Sequence, residues 1–258
     1  MEITGISTPI INKGDDIFSI LFSALEKSNF MIQENDILVA SGKVLAISEN
    51  RIVKLSDVTP TIQAKELAIK YRVPAELAEL IIQESDEILG GIPTLILTIR
   101  ENVLLANAGI DKSNTPEGWV SLLPSNSFNW AKSIQSAILK KYGVNIGVII
   151  ADSRSQPLRY GLVGVALGVA GIEPIIDERG KTDLYGHPLR ITRRAVADDL
   201  ASAAQIIMGE RNESTPFVLV RGAPLTFTNR EIESKDFTIS PDTCLYFKII
   251  RQWIESKE

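Results

Sequence analysis

Val144-Asn145-Ile146-Gly147-Val148-Ile149-Ile150-Ala151-Asp152-Ser153 is the stretch around which the rest of the chain can be organised. Val144 to Ala151 is an apolar run of strand length, and it stops on a carboxylate and a hydroxyl. Such a run reads as a buried strand. A carboxylate at the carboxyl end of a buried strand is well placed to hold a metal, because sites in α/β sheets open there, and Ser153 adds a neutral oxygen beside it. The plainer reading is an aspartate that ends a strand and caps the following turn.

On the C-terminal side, Gly161 to Gly171 alternates glycine with small apolar residues, a spacing that predicts tight strand packing and specifies no ligand. Arg194 to Met208 is amphipathic at helical spacing, with Val196, Leu200, Ala203, Ala204 and Ile207 on one face and Gly209 at its end. Phe217 to Val220 reads as another buried strand before Arg221-Gly222, packing back on the rest. On the N-terminal side, a helix is expected from about Asn129 to Tyr142, ended by Gly143. Helices opening near Pro60 and Pro74 should run to about Tyr71 and Glu84. Strands are expected over Pro93 to Arg100 and Val103 to Ala106, and over Ile37 to Ala40 with a turn at Ser41-Gly42-Lys43. Between them, Asn107 to Trp119 is polar and turn-rich, as functional loops often are. No linker or repeat divides the chain, so residues 1–258 are expected to form one unit.

The chain has 258 residues, 45% hydrophobic and 23% charged, which is ordinary globular composition. It holds no apolar run of ~18 residues, and its start lacks a secretory pattern. A cytoplasmic location without a membrane role is the resulting expectation. Formal net charge is -5 and no Lys/Arg block is interleaved with aromatics, which argues against nucleic-acid binding. Cys244 and His187 are single, so a disulfide and a multi-histidine zinc site are both excluded within the chain. Any metal must be held by oxygen ligands, which favours Mg²⁺ or Mn²⁺.

Three carboxylates could contribute to such a site: Asp111 with Ser113 and Asn114 close by, Asp152 with Ser153, and Glu210 at the head of a polar loop. Each could equally be a turn former, and spacing does not show that they converge. The loop Glu210-Arg211-Asn212-Glu213-Ser214-Thr215 is either a solvated connector or a phosphate-contacting segment. Walker-type, nucleophile-elbow and His-Glu-x-x-His motifs are absent. His187 reads as a surface or hydrogen-bonding residue.

Taken in order, Asn107-Ala108-Gly109-Ile110-Asp111, Ile149-Ile150-Ala151-Asp152-Ser153, Asp183-Leu184-Tyr185-Gly186, Ala197-Asp198-Asp199-Leu200-Ala201 and Met208-Gly209-Glu210 resemble the coenzyme F-420:L-glutamate ligase family. The resemblance begins at Pro9-Ile10-Ile11-Asn12-Lys13-Gly14-Asp15-Asp16 and closes on Val220-Arg221-Gly222. It implies an α+β fold of mixed sheets and helices in two interlocked parts, and an intertwined homodimer. It implies that L-glutamate is added through its amine to a carboxylate of a deazaflavin coenzyme precursor, with GTP as cosubstrate, Mg²⁺ or Mn²⁺ as metal and K⁺ as a further candidate ion. Asp111 and Asp152 would hold one metal, with Ser153 and Glu210 contacting a second. Asn114 and Met208, Gly209, Glu210, Arg211, Asn212, Glu213, Ser214 and Thr215 would line the nucleotide site, with Thr8, Pro9, Ile10 and Ile11 on its other side. Asp198 is expected to be structural. Where the family usually has Ser-Lys-Ala-Glu-Gly-Arg, this chain has Ala46-Ile47-Ser48-Glu49-Asn50-Arg51, so the lysine expected to reach the nucleotide is replaced by Ile47. Lys43, four residues earlier, compensates if it points inward. Two alternatives stay open: the same ligase chemistry on another acid or amine, and a non-catalytic nucleotide- or metal-binding paralogue.

Overall fold

The computed structural model describes residues 1–28 and 30–255. In chain order the elements are β1 (Glu2–Ile6), α1 (Ile17–Lys27), β2 (Ile37–Ser41), α2 (Gly42–Ser48), β3 (Ile52–Lys54), α3 (Ile62–Tyr71) and α4 (Ala75–Glu84). There follow β4 (Glu87–Ile92), β5 (Leu95–Arg100), β6 (Val103–Ala106), β7 (Trp119–Ser121), α5 (Ser127–Tyr142), β8 (Gly147–Ser155) and β9 (Leu162–Ala170). The chain closes with β10 (Ile176–Asp177), β11 (Arg193–Arg194), α6 (Val196–Met208), β12 (Phe217–Arg221) and α7 (Leu245–Glu255). The class is mixed α+β, as the resemblance implies. Among the described residues no helix is long and apolar enough to cross a membrane.

Helix limits follow local chemistry. The Asp16 carboxylate accepts from the amides of Phe18 and Ser19 at the start of α1, Thr61 Oγ1 accepts from Ala64 at the start of α3, and Asn126 Oδ1 from Asn129 at the start of α5. Gly143 ends α5 in the left-handed region. Two expectations need correction. Ser41-Gly42-Lys43 is not a free-standing turn: Ser41 ends β2 and α2 begins at Gly42, which aims Lys43 from a helix. Asp152 and Ser153 do not follow a strand either; β8 carries on to Ser155, because β9 continues to pair with it beyond the apolar run.

The principal sheet has the order β1-β12-β2-β8-β9. Only β2 and β8 are parallel, pairing Ile37 with Gly147 through to Ser41 with Ala151. A parallel pair demands a crossover, and here it contains everything from α2 to α5. β12 runs antiparallel to β2 and to β1, matching Phe217 with Ala40 and with Ile6. The end of β1, the ends of the paired stretches of β2 and β8, and the start of β12 therefore all meet at one edge of the sheet. The stretches after Ile6, after Ser41 and before Phe217 are brought together by strand direction alone.

Both faces of the sheet are covered. α1 and α5 pack Leu21, Leu25, Ile134 and Ile138 on Leu38, Ala40, Val148, Ile150 and Leu219. α6 packs Ala197, Leu200, Ala201 and Ala204 on Ile37, Val39, Ile149, Val218 and Val220. Two residues expected on that apolar face are not fully covered: Ala203 is half-buried and Ile207 is 39% exposed, since the contact turns with the helix toward Ala201. A further core joins α3 and α4 to Ile96 of β5 and Val120 of β7. The glycine spacing in β9 has its reason here. A Cβ on Gly164 would overlap the carbonyl of Ala201 in α6, and one on Gly168 would overlap Ser127 at the start of α5. Two helices thus seat on one strand at its glycines.

Gly168→Ala should lower the unfolding free energy by at least about 2 kcal/mol, the scale of overpacking a core. Gly42→Ala, where the nearest atoms stand 3.4 Å from a new Cβ, should be neutral or stabilising because alanine favours a helix. Urea unfolding of both variants checks the contrast.

Candidate functional site

At the sheet edge where these segments meet lies a cleft of about 730 Å³, within the range of small-molecule sites. Its walls come from the segment after β1, the start of α2, the loop before β7, the Asp152-Ser153 part of β8, and the stretch from the end of α6 to β12. The amide of Thr8 donates to the Ser214 carbonyl at 2.9 Å, and Asn114 Nδ2 donates to the Arg211 carbonyl at 2.8 Å. Those two bonds tie three loops of the rim together.

Asp111, Asp152, Ser153 and Glu210 all line this cleft. Lys43 lies among them, its ammonium donating to Asp111 and, at 2.7 Å, to Ser113 Oγ. Burial pushes the Asp111 carboxyl up, but the bonds from Lys43 and Ser113 outweigh it and hold the group below its ordinary value. Asp152 has no comparable partner. Burial pushes its carboxyl up to about 6; the Ser153 amide and the Lys43 charge give partial relief, while Asp111 and Glu210 add repulsion. Lys43 bonds to Asp111 and not to Asp152, whose carboxyl therefore resists ionising, although Lys13 and Arg211 line the cleft elsewhere.

An under-neutralised Asp152 beside two further carboxylates fits a divalent cation. The donors are hard oxygens, as Mg²⁺ and Mn²⁺ require. They are not gathered on one point in this conformation: among the described residues no three His, Cys, Asp or Glu groups stand close enough to share a metal. The reason is visible in their contacts. Asp111 is drawn to Lys43, and Glu210 accepts from Gln205 Nε2 at 2.5 Å.

Other expected residues sort clearly. Thr8, Pro9, Ile10, Ile11, Lys43, Asn114, Met208, Gly209, Arg211, Asn212, Ser214 and Thr215 line the cleft. Glu213 does not. Its carboxylate accepts from the Arg211 amide at 2.7 Å and fills the space beside Gly209, whose φ of +69° lets the loop fold back over it. Ile47 lines the cleft, and Lys43, one helical turn earlier, points in as well. Glu49 and Arg51 are fold clamps: Glu49 accepts from Ser125 and from Trp130 Nε1, while Arg51 joins the Leu123 carbonyl to Glu84. Asp198 is structural as expected, its carboxylate accepting from the Ala166 amide at 2.9 Å. His187 is exposed and faces Asp183 at 3.3 Å. Sequence reasoning missed Lys13, Val44, Ile52, Trp119 and Gln205, which also line the cleft. The one available signal was Trp119, a large aromatic at the end of the polar loop.

The profile of the family described as F420-0:Gamma-glutamyl ligase matches residues 5–222, a span that contains every acidic and loop residue of this cleft. The chain belongs to that family. It is 38% identical over 217 residues to the coenzyme F420:L-glutamate ligase of Methanothermobacter thermautotrophicus, covering 84% of this chain and 86% of the relative. The protein of that name from Methanococcus maripaludis is 35% identical over 231 residues, 89% of this chain and 91% of the relative. That from Archaeoglobus fulgidus is 36% identical over 214 residues, with 83% and 84% covered. As a member of the F420-0:gamma-glutamyl ligase family, the chain is an enzyme of the ligase class. α7 lies beyond the matched span.

The burial of Asp152 gives a pH signature. An aspartate that ionises at about 6 when folded and at roughly 3.9 when unfolded binds more protons in the native state between those values. Stability contributed by its neutral form is present below the unfolded value and is lost as pH rises through the folded one. Without divalent metal, Asp152→Asn should therefore be more stable than wild type above pH ~6, by on the order of 2 kcal/mol, with the gap closing toward pH ~4. Thermal melts across that range check it, and a gap independent of pH would contradict the assignment.

Proposed function

We propose that the chain joins L-glutamate through its amine to a carboxylate of a deazaflavin coenzyme precursor, driven by GTP and dependent on Mg²⁺ or Mn²⁺. The observation that carries this reading is that Asp111, Asp152, Ser153, Glu210 and Lys43, brought from four separate parts of the chain, line one cleft. The relatives, named coenzyme F420:L-glutamate ligases, support the choice of L-glutamate and a deazaflavin acceptor.

A carboxylate is a poor acyl donor and needs activation. In the proposed reaction an oxygen of the acceptor carboxylate attacks the γ-phosphorus, the bond from that phosphorus to GDP breaks, and an acyl phosphate forms. The neutral amine of glutamate then attacks the acyl carbon; phosphate leaves and the nitrogen loses its extra proton. A divalent ion held by the acidic groups would neutralise phosphate oxygens during the transfer. The chain's own share is positioning and charge. Lys43 supplies a mobile ammonium able to move from Asp111 to an incoming anion, and the Ser153 hydroxyl offers a neutral oxygen. The loop from Gly209 to Thr215 and the Thr8 to Ile11 segment, bonded to each other through Thr8 and Ser214, would flank the nucleotide. Ile47, where the family usually has lysine, supports a second reading in which the same chemistry serves another acid or amine.

Purified protein should turn over GTP with Mn²⁺ or Mg²⁺ only when acid and amine are both supplied. Calorimetry that detects no nucleotide binding with any divalent metal would remove both ligase readings together.

The working unit is proposed to be an intertwined homodimer. Support comes from Leu158 and Tyr160 in the turn between β8 and β9, and from Leu184, Tyr185 and Ile191 between β10 and β11, all almost wholly exposed. Large apolar side chains left exposed in this number commonly mark interfaces. Sedimentation at low micromolar concentration should give a dimer; a folded monomer would sink this part of the proposal.

A further inference from the structure

The cleft changes character along its length, and two separate elements record the change. On α2, Lys43 and Ile47 are four residues apart and so lie on one helix face about 6 Å from each other. Lys43 is held at the acidic end by Asp111, whereas Ile47 lines the cleft one turn on. On β7, the Ser121 amide donates to the Asp111 carbonyl at 2.8 Å, while Trp119, two residues or about 7 Å earlier along the strand, also lines the cleft. Both elements lead from the carboxylates to an apolar wall made by Trp119, Val44, Ile47, Ile52 and Pro116.

That wall is built firmly. β3 and β7 pair Ile52 with Ser121 and Lys54 with Trp119, so Trp119 and Ile52 are diagonal neighbours on one face of the ribbon. Val120 points the other way and is wholly buried in the core of α3 and α4. The Trp119 amide donates to the Pro116 carbonyl at 3.0 Å, and Thr115 Oγ1 donates to the Trp119 carbonyl at 3.0 Å. The indole is only half-buried, and the Lys13 ammonium lies 5.9 Å from its ring centroid. An anchored backbone thus presents a flat aromatic side chain to the cleft, with a cation over its ring.

We propose that Trp119 and the neighbouring wall form the subsite for a planar heteroaromatic ring of the acid acceptor, stacked on the indole while its anionic tail runs to the Lys43 end. This deepens the ligase reading and rests on it. A flat ring suits the wall because aromatic stacking adds attraction beyond apolar contact, and the Lys13 ammonium that it would displace from over the indole is then free to meet the tail's negative charge. The ring is assigned to the acceptor because the segments proposed to flank the nucleotide, Thr8 to Ile11 and Gly209 to Thr215, are bonded to each other through Thr8 and Ser214, whereas Trp119, Ile52 and Ile47 belong to neither segment and are left to line a wall of their own. The two anions then reach the acidic end from different directions, which an attack in line on a γ-phosphate requires.

The test uses full-length protein, the deazaflavin precursor, and GTP with Mn²⁺. Titrating the precursor into wild type should quench tryptophan fluorescence, and Trp119→Phe should lose that quench, since Trp130 and Trp253 remain as reporters elsewhere. Calorimetry should show Trp119→Ala binding the precursor at least about tenfold more weakly, the scale of losing one stacked ring, and GTP with Mn²⁺ within about threefold of wild type. Trp119→Phe, which keeps a flat ring, should retain most of the precursor affinity and guards against a folding defect in the alanine variant. Unchanged precursor binding by Trp119→Ala, in a wild type that binds both substrates, would overturn this inference alone. A loss that falls on GTP instead would hand the subsite to the nucleobase and overturn it too. Wild type that binds neither substrate would fell the ligase reading with it.

Discussion

The parallel pairing of β2 with β8 is the constraint on which the cleft depends. It makes the paired stretches end together, at Ser41 and Ala151, and so sets the start of α2 beside Asp152. The antiparallel neighbours β12 and β1 then bring their connecting segments to the same edge. Reversing any one of these strands would carry its loop to the far side of the sheet. Four backbone ladders, held by burial on both faces, thereby decide which side chains can meet.

What they bring together is electrostatically unfavourable without a cation. Asp152 is pushed toward neutrality by burial and by its acidic neighbours, and Lys43 answers chiefly to Asp111. The cost of holding such a group is offset elsewhere, in strands such as β2 and β12 whose core residues are wholly buried and in helices seated closely on Gly164 and Gly168. Functional sites are where a fold tolerates this kind of conflict. The arrangement makes Lys43 the counter-ion to Asp111.

Neighbouring residues of similar chemical type do quite different things here. Glu49 and Arg51 lie close in sequence to Lys43, yet they bind Ser125, Trp130, Leu123 and Glu84 and lock α2 and β3 to α5 and α4. Glu213 is in the same loop as Glu210, but it stabilises the turn at Gly209 rather than facing the cleft. A charged residue within a family-like motif is therefore as often a brace for the site as a part of it.

Much of the secondary structure was legible in the sequence because local physics controls it: proline and threonine at the starts of α3 and α4, glycine after α5, helical spacing over α6, and apolar runs in β2, β8 and β12. The acidic and loop residues could be read from ordered motifs, which is why Asp111, Asp152, Ser153 and Glu210 could be named before any geometry. Their convergence could not, because it follows from strand direction in a ladder joining residues far apart in sequence. The same holds for α2, whose short apolar sequence resembles a turn until Ser41 is pinned by β8 and by the Pro216 carbonyl. It holds for Trp119 too, an unremarked aromatic until its pairing with Lys54 turns it toward the cleft. The sequence by itself determined the kinds of element and the stock of chemical groups, since those depend on neighbours along the chain. Only the tertiary structure decided which groups face one another, since that depends on the directions in which distant strands pair.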